Sequence, residues 1–285
     1  HRQLYATDAS VYKIYPAGVC FPKNKEDIIE LVDFARKNKM PLIPRAGGTS
    51  LAGQVVGKGL VVDVSKHFNQ IIDFDSKAKK IVVQPGMVRD DLNDFLAPYQ
   101  LFFGPNTSTS NRCTIGGMTG NNSSGTTSIK FGVTRDKVLA LECVLYDGSV
   151  VTFEDLTVEQ YREKEKQQNL EGDIYRFIVE KLSDPLHQEN IRIEYPQASV
   201  HRRNSGYALD ALLDNFVHPS SPVINLSKLL TGSEGSLAFV TSITLSLDAI
   251  PPKEAVMVAA HYDSIENCLQ SVAPLMKHPL YTCEM

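Results

Sequence analysis

Between Asn106 and Ser128, 15 of 23 residues are Asn, Ser or Thr, with Gly116, Gly117, Gly120 and Gly125 among the rest. Composition alone would make this stretch a flexible linker. Its flanks argue otherwise. Ile81-Val82-Val83-Gln84 reads as a strand before it and Val138 to Tyr146 as a buried strand after it, while Ile115 and Met118 are interleaved within it and Phe131 follows closely. A polar loop this long inside a folded domain is usually functional or disordered. Its hydroxyls, amides and glycine-freed backbone N–H groups suit a large polar ligand bearing phosphates and a heteroaromatic ring. Such a ring needs several donors and acceptors and almost no charge.

The rest of the chain can support such a site. Its 285 residues are 42% hydrophobic and 22% charged, which excludes a disordered tail or a disulfide-dense miniprotein. Lys and Arg number 29 against 33 Asp and Glu, a net charge of −4, so no basic excess exists to neutralise nucleic-acid phosphates. Apolar runs such as Ala255 to Ala260 fall well short of the roughly 18–20 residues of a membrane helix, and no membrane span is expected. The five cysteines (Cys20, Cys113, Cys143, Cys268, Cys283) form no CxxC pair, so no zinc ribbon or iron–sulfur site is expected from local spacing, and no metal ligands are assigned. Free thiols fit a reducing compartment, most simply the cytoplasm, with peripheral membrane association allowed. The chain starts at His1 without a leader and stops after an apolar segment, so a piece of a longer protein is expected.

Periodicity gives the elements. Val19-Cys20-Phe21-Pro22 reads as a strand, followed by a helix capped by Asn24, with Asp27 as a short version of the capping box and Ile28, Ile29, Leu31, Val32 and Ala35 at helical spacing. Pro41 to Pro44 and Leu60 to Val64 read as further strands, a strand–helix–strand crossover. Pro85-Gly86 marks a turn, Asp90 to Leu96 a helix, and Ser149 to Phe153 and Ser236 to Leu247 strands. Residues 154–190, rich in Glu, Lys, Gln and Arg, read as a solvent-facing helical insertion. Beyond Pro251-Pro252, Ala255 to His261 reads as a strand and Ser264 to Met276 as a helix, a pair expected to begin another domain.

Two shorter segments join the polar stretch. Pro44-Arg45-Ala46-Gly47-Gly48-Thr49-Ser50-Leu51-Ala52-Gly53-Gln54 lies between two strands, where its glycines let backbone N–H groups approach an anion. As a Walker A loop it fails, because Gln54 stands where Lys is required and no Ser or Thr follows. A dinucleotide fingerprint fails too, since the only Gly-x-Gly, Gly57-Lys58-Gly59, has Val62 where the third glycine belongs. Taken alone, the loop is equally a plain glycine turn. Thr231-Gly232-Ser233-Glu234-Gly235-Ser236, just before a strand, is taken alone only a capped turn.

Together the three segments resemble the FAD-binding domain of the vanillyl-alcohol-oxidase and p-cresol-methylhydroxylase superfamily. Arg45 to Gln54 is similar to its pyrophosphate loop and Asn111-Arg112-Cys113-Thr114-Ile115-Gly116-Gly117 to its second flavin segment. Lys130 to Asp136 resembles the stretch leading into its long strand, and Gly232 to Gly235 its closing segment. The likeness runs in order over residues 10–250. Gly104-Pro105-Asn106-Thr107-Ser108 and the stretch His201 to Asp210 bring it nearest the glycolate oxidase, D-lactate and D-2-hydroxyglutarate dehydrogenase branch, among large members with an iron–sulfur module after the flavin unit.

The resemblance implies an α+β fold of two subdomains, about 15–75 and 76–250, within an FAD-binding domain of 1–250, with 251–285 beginning a truncated substrate domain. It implies FAD held by Arg45, Ala46, Gly47, Gly48, Thr49, Ser50 and Leu51 at the pyrophosphate. Pro105, Asn106, Thr107, Cys113, Thr114, Ile115, Gly116 and Gly117, with Gly120, Asn121, Asn122, Ser124 and Gly125, would line the ribityl chain and ring. Gly232, Glu234 and Gly235 would meet the adenosine half or the far side of the ring, and Gln54 the ring's polar edge. Covalent members carry a His in the first loop, or that His with a Cys in the second; no His stands here, so FAD is expected non-covalently and Cys113 unlinked. An iron–sulfur cluster is expected only in an absent C-terminal region. The implied activity is oxidation of a D-2-hydroxy acid, with hydride passing to flavin N5 and electrons to an unassigned acceptor. The catalytic groups are expected in the substrate domain; His201 and Arg202 are the local alternative, against solvated charges beside a turn. A flavin-binding module without turnover, and an NADPH-dependent enolpyruvyl-sugar-nucleotide reductase of the same fold, are the rival readings.

Overall fold

Strands β1 (Gly18–Cys20), β2 (Leu42–Arg45) and β3 (Leu60–Asp63) form a parallel sheet in the order β1-β3-β2. The structure is a computed structural model that describes residues 1–285 except 198, 201, 205 and 218–222, and only the backbone at 214–217. Helix α1 (Lys25–Lys37) joins β1 to β2, as its apolar spacing predicts. Asn24 caps it by accepting from the Asp27 N–H at 2.8 Å, and Asp27 accepts from the Lys23 N–H at 2.7 Å, one residue earlier than a capping box requires. All four residues of the central strand β3 are buried, the pattern of a parallel strand covered on both faces.

A second, antiparallel sheet has the order β4-β5-β11-β7-β8, comprising β4 (Ile71–Asp75), β5 (Lys80–Val83), β7 (Val138–Val144), β8 (Val150–Phe153) and β11 (Phe239–Ser246). Along β11 buried and half-buried residues alternate without a break, so its period-2 pattern is legible in the sequence. Ile81, Val83, Leu141, Cys143, Ile243 and Leu245 bury the inner face, each large aliphatic contributing about 1.5–3 kcal/mol. Ile28, Val32 and Val62 of the first layer pack against Val144 and Phe239 of this sheet, and Lys25 pairs with Glu142 at 2.9 Å. That packing fixes the two layers against each other.

Three expectations need correction. Strand β4 is absent from the sequence reading, because it is an edge strand whose Ile72 and Asp73 are exposed and whose acidic residues mask the pattern. It pairs with β5 and so belongs to the second sheet. The 154–190 region is not simply solvent-facing. Helices α6 (Val158–Glu165), α7 (Leu170–Ser183) and α8 (Pro185–Glu194) bury Tyr161, Tyr175, Ile178, Leu182 and Ile191 in the main core. Their charged outer faces hid that stripe. Third, Ala255 to His261 forms no strand and is exposed throughout. The helix after it forms as α11 (Ile265–Leu275), capped by Ser264.

The remaining elements frame the site. Helix α2 (Arg89–Leu96) and a 3-10 turn (Ala97–Tyr99) precede β6 (Leu101–Phe102), which pairs with β12 (Asp248–Ala249). The polar stretch contains α3 (Ile115–Asn121) and ends where α4 (Ser128–Phe131) begins, and α5 (Thr134–Lys137) follows. β9 (Leu156–Thr157) pairs with β10 (Val223–Ile224), while α9 (Leu209–Val217) and α10 (Ser227–Leu230) lead to β11. Among the described residues no helix is long and apolar enough to cross a membrane.

Candidate functional site

The first glycine loop leaves β2 at Arg45, whose carbonyl accepts from the Val64 N–H at 3.0 Å and ties the start of the loop to the residue that follows β3. Gly47 lies so close to the second segment that a β carbon there would sit 2.6 Å from the Arg112 carbonyl oxygen. Gly48 has φ +64, and a β carbon there would meet Arg45 Nη2 at 2.7 Å. Both positions therefore require glycine, and both expose backbone at the end of a strand.

The second segment is built on the Pro85-Gly86 turn. The Ile115 and Gly116 N–H groups donate to the Met87 and Pro85 carbonyls, each at 2.8 Å, while the Arg89 N–H donates to the Cys113 carbonyl at 3.0 Å. Thr114 caps α3 by accepting from the Gly117 N–H at 3.4 Å. Ile-Gly-Gly-Met-Thr-Gly-Asn is a poor helix by propensity, so tertiary burial of Ile115, Met118 and Thr119 holds it. Gly117 faces Ala46 of the first loop, with 3.3 Å from its would-be β carbon to the Ala46 methyl.

The third segment docks on the end of this helix. The Gly232 N–H donates to the Thr119 carbonyl and the Glu234 N–H to the Gly120 carbonyl, both at 2.9 Å. Glu234 holds φ +55, an uncommon conformation for a residue with a side chain, and its Oε1 accepts from Gln54 Nε2 at 3.5 Å. Gly235 approaches Pro44, its would-be β carbon 3.0 Å from the ring. Three segments scattered through the sequence thus meet in one place.

Beside that junction, between the two sheet layers, lies a cleft of about 590 Å³. Arg45, Ala46 and Gly47 form one wall, Gly86, Met87, Val88, Arg112 and Thr114 another, and Leu4, Tyr5, Asp63, Ser65, Asn69 and Asp91 complete it. Asp63 is buried and accepts from the Tyr5 hydroxyl at 2.5 Å and from the Ser65 N–H and hydroxyl at 2.8 and 2.6 Å. Arg45 makes no ion pair among the described residues, and its Nη1 is buried without a hydrogen-bond partner. Gln54 Oε1 is likewise buried and unpartnered. A donor-rich anion cradle with an unspent guanidinium and an unspent amide oxygen fits FAD, whose pyrophosphate accepts and whose ring both donates and accepts.

The structure divides the expected ligands. Arg45, Ala46, Gly47 and Thr114 line the cleft; Gly48, Gln54, Gly117, Gly120, Gly232, Glu234 and Gly235 surround the junction. Ile115 is wholly buried in the core, and Cys113 is also buried there, its Sγ 3.2 Å from Thr107 Oγ1. Asn106 is spent on the loop itself: its Oδ1 accepts from the Thr127 hydroxyl at 2.9 Å and its backbone meets Gly125. Asn122, at φ +48, accepts from the Arg135 N–H at 2.8 Å and donates to Asn204 at 2.9 Å. These side chains shape the site and do not line the cleft. Arg202 donates to Ser124 Oγ at 3.4 Å, exposed at the rim, and His201 lies outside the described residues. Leu51 is 80% exposed.

Tyr5, Asp63 and Arg112 were not assigned from sequence, although Arg112 stands inside a recognised segment. Pro85-Gly86 reads there only as a turn. Tyr5 and Asp63 carry no motif at all; only the fold brings them together. Among the described residues no cluster of three or more His, Cys, Asp or Glu side chains is placed to hold a metal ion.

Residues 16–154 match the FAD binding domain family. The chain is 33% identical over 279 residues to a D-2-hydroxyglutarate dehydrogenase of Escherichia coli strain K12, covering 96% of this chain and 26% of that protein. The corresponding protein of Pseudomonas putida is 36% identical over 283 residues, covering 97% and 27%. The mitochondrial D-lactate dehydrogenase [cytochrome] 1 of Saccharomyces cerevisiae is 32% identical over 270 residues, covering 93% and 35%. The chain therefore spans about a quarter to a third of the length of these relatives. A solved alkyldihydroxyacetonephosphate synthase superposes with a TM-score of 0.52 at 19% identity, covering 82% of this chain and 32% of that one, a likeness of fold. Over residues 16–154 the chain thus carries a match to the FAD binding domain family, and it shares its mixed α and β fold with that solved synthase.

Proposed function

We propose that this chain binds FAD non-covalently and forms the flavin unit of a dehydrogenase that oxidises a D-2-hydroxy acid. The observation that carries the reading is the meeting of the three glycine segments beside a cleft, with unpartnered polar atoms retained by Arg45 in the cleft and by Gln54 at the junction. In it, backbone N–H groups at Gly47 to Ser50 and the Arg45 guanidinium hold the pyrophosphate, while Thr114, Gly117 and Gln54 orient the flavin. FAD supplies the hydride acceptor when bound. The remaining work of this chain is to fix the ring's position and to screen charge. The buried Cys113 thiol, engaged with Thr107, supports an unlinked flavin. All five cysteines are free, which supports a cytoplasmic setting.

The substrate class rests on the relatives named above, 2-hydroxy-acid dehydrogenases that align with nearly the whole chain. Only Tyr5, Asp63 and Asp91 among the cleft's proton-carrying side chains could act as a base, and Asp63 is already spent on three donors. We therefore place the base and the substrate-carboxylate ligands outside residues 1–285, in the length of the relatives that this chain does not span.

The test has two stages. Acid precipitation of the FAD-loaded chain should leave the yellow colour in the supernatant; flavin retained in the pellet would contradict the non-covalent reading. A longer form carrying the rest of the protein, mixed anaerobically with D-2-hydroxyglutarate, D-lactate or glycolate, should lose its visible flavin band with at least one of them. Failure with all three would reject the substrate class while leaving FAD binding intact.

A further inference from the structure

We infer that Tyr5 to Tyr15, which precedes the matched FAD-binding domain, is a strap that completes the cofactor site, with Tyr5 the residue positioning Arg45 for a pyrophosphate. The inference rests on the FAD reading above. It concerns a segment outside residues 16–154, to which neither sequence motif nor family match assigns a role.

The strap folds back on itself through the Ile14 N–H, which donates to the Ala6 carbonyl at 2.8 Å, and an antiparallel bridge between Thr7 and Lys13. Ala6 is fully buried. The strap then grips the first glycine loop at two points. The Ala9 N–H donates to the Gly48 carbonyl at 3.2 Å, and the Tyr12 ring fills the space over Gly53, 2.6 Å from where a β carbon would lie. A loop whose backbone must meet an anion is thereby held in shape from outside its own strands.

Tyr5 does something more specific. Its hydroxyl donates to Asp63 Oδ2 at 2.5 Å while Ser65 takes the other carboxylate oxygen, so Asp63 is occupied by neutral donors. The Arg45 guanidinium lies over the Tyr5 ring, 5.1 Å from its centroid, and is left without an ion pair among the described residues. Phe21 stands edge-on to the same ring at 5.9 Å and fixes its plane. Had Asp63 paired with Arg45, the cation would be neutralised before any ligand arrived. Instead the carboxylate is screened, and the cation of this cleft-lining residue rests on a π face with its Nη1 buried and without a hydrogen-bond partner. Burial and the hydrogen bond to Asp63 push the phenol up to about 12, so it stays a donor across the physiological range. Phenylalanine would keep the ring but free the carboxylate; alanine would lose both.

The experiment is equilibrium titration of the 285-residue chain with FAD and, separately, with ADP, which carries the pyrophosphate linkage without the flavin. Tyr5→Ala should weaken both ligands about tenfold, the equivalent of about 1.4 kcal/mol, and Tyr5→Phe both about threefold. In an Arg45→Met background the Tyr5→Ala change should weaken binding less than twofold, because the two residues act as one unit. A merely structural role would cost the same in either background. If Tyr5→Ala does not fold, Tyr5→Phe and Asp63→Asn, which keep the ring and the volume, carry the same cycle. Undiminished binding by the Tyr5 variants, or equal losses with and without Arg45, would overturn the inference while FAD binding by the parent stands. A parent chain that binds neither FAD nor ADP would overturn the FAD reading and this inference together.

Discussion

The backbone N–H of Glu234 donates to the carbonyl oxygen of Gly120 at 2.9 Å, with Glu234 held at φ +55. This bond places the turn before β11 against the last turn of α3 and gives Gln54 a partner from the third segment.

Glu234 therefore separates backbone from side chain in one position. Glu234→Gly should keep the turn and FAD affinity within about threefold, since glycine adopts positive φ freely. Glu234→Val should cost about 1–2 kcal/mol in stability and weaken FAD at least as much, because a β-branched residue resists the left-handed conformation. Denaturant unfolding and FAD titration check both. Equal behaviour of the two variants would contradict the geometry.

Gly48→Val tests the first loop. The added methyls would meet the Arg45 guanidinium at a φ of +64, displacing both cation and backbone. FAD affinity should fall more than tenfold, whereas Glu163→Ala, in an exposed pair with Lys166, should leave it unchanged. Equal FAD retention by both variants would remove this loop from the site.

Arg135 is the buried anchor of the third segment. Its guanidinium donates to the Thr231 carbonyl at 2.6 and 3.1 Å and to the Lys228 carbonyl at 3.0 Å, and its N–H donates to Asn122 at 2.8 Å. Arg135→Leu strands those carbonyls and should cost about 3 kcal/mol in urea unfolding, with a weaker hold on FAD. A loss below about 1 kcal/mol would show that the carbonyls find other partners.

Alkaline stability reports on Tyr5. Burial and the hydrogen bond to Asp63 push its phenol up from the ordinary 10.0 to about 12 in the folded chain, so the native state favours the protonated form. The stability it contributes is complete below about pH 10 and is lost as pH rises through about 12. The unfolding midpoints of the parent and Tyr5→Phe should therefore differ most below pH 10 and converge above it. A gap that widens with pH would give the wrong sign.

Local patterns made much of this molecule legible. The apolar run of β3, the alternation of β11 and the Asn24 cap of α1 each state their element directly. The three glycine segments were legible as ligand loops only in company, since each alone is an ordinary turn. What stayed hidden depends on long-range pairing. β4 is an edge strand disguised by Asp73 and Asp75, and the buried stripe Tyr161, Tyr175 and Ile178 is outnumbered by charges facing solvent. Asn106 and Asn122 resemble ligand groups in sequence but are spent on Thr127, Arg135 and Asn204. Tyr5 and Asp63 lie on different segments and meet only when β3 is packed.

The most direct test of the account is a titration of the chain with FAD, followed by flavin fluorescence and by absorbance of the gel-filtered complex. The account predicts a saturable change ending at one FAD per chain, competed by ADP and weakened by Gly48→Val. Free flavin eluting apart from a folded chain, with no saturable change in fluorescence, would contradict it.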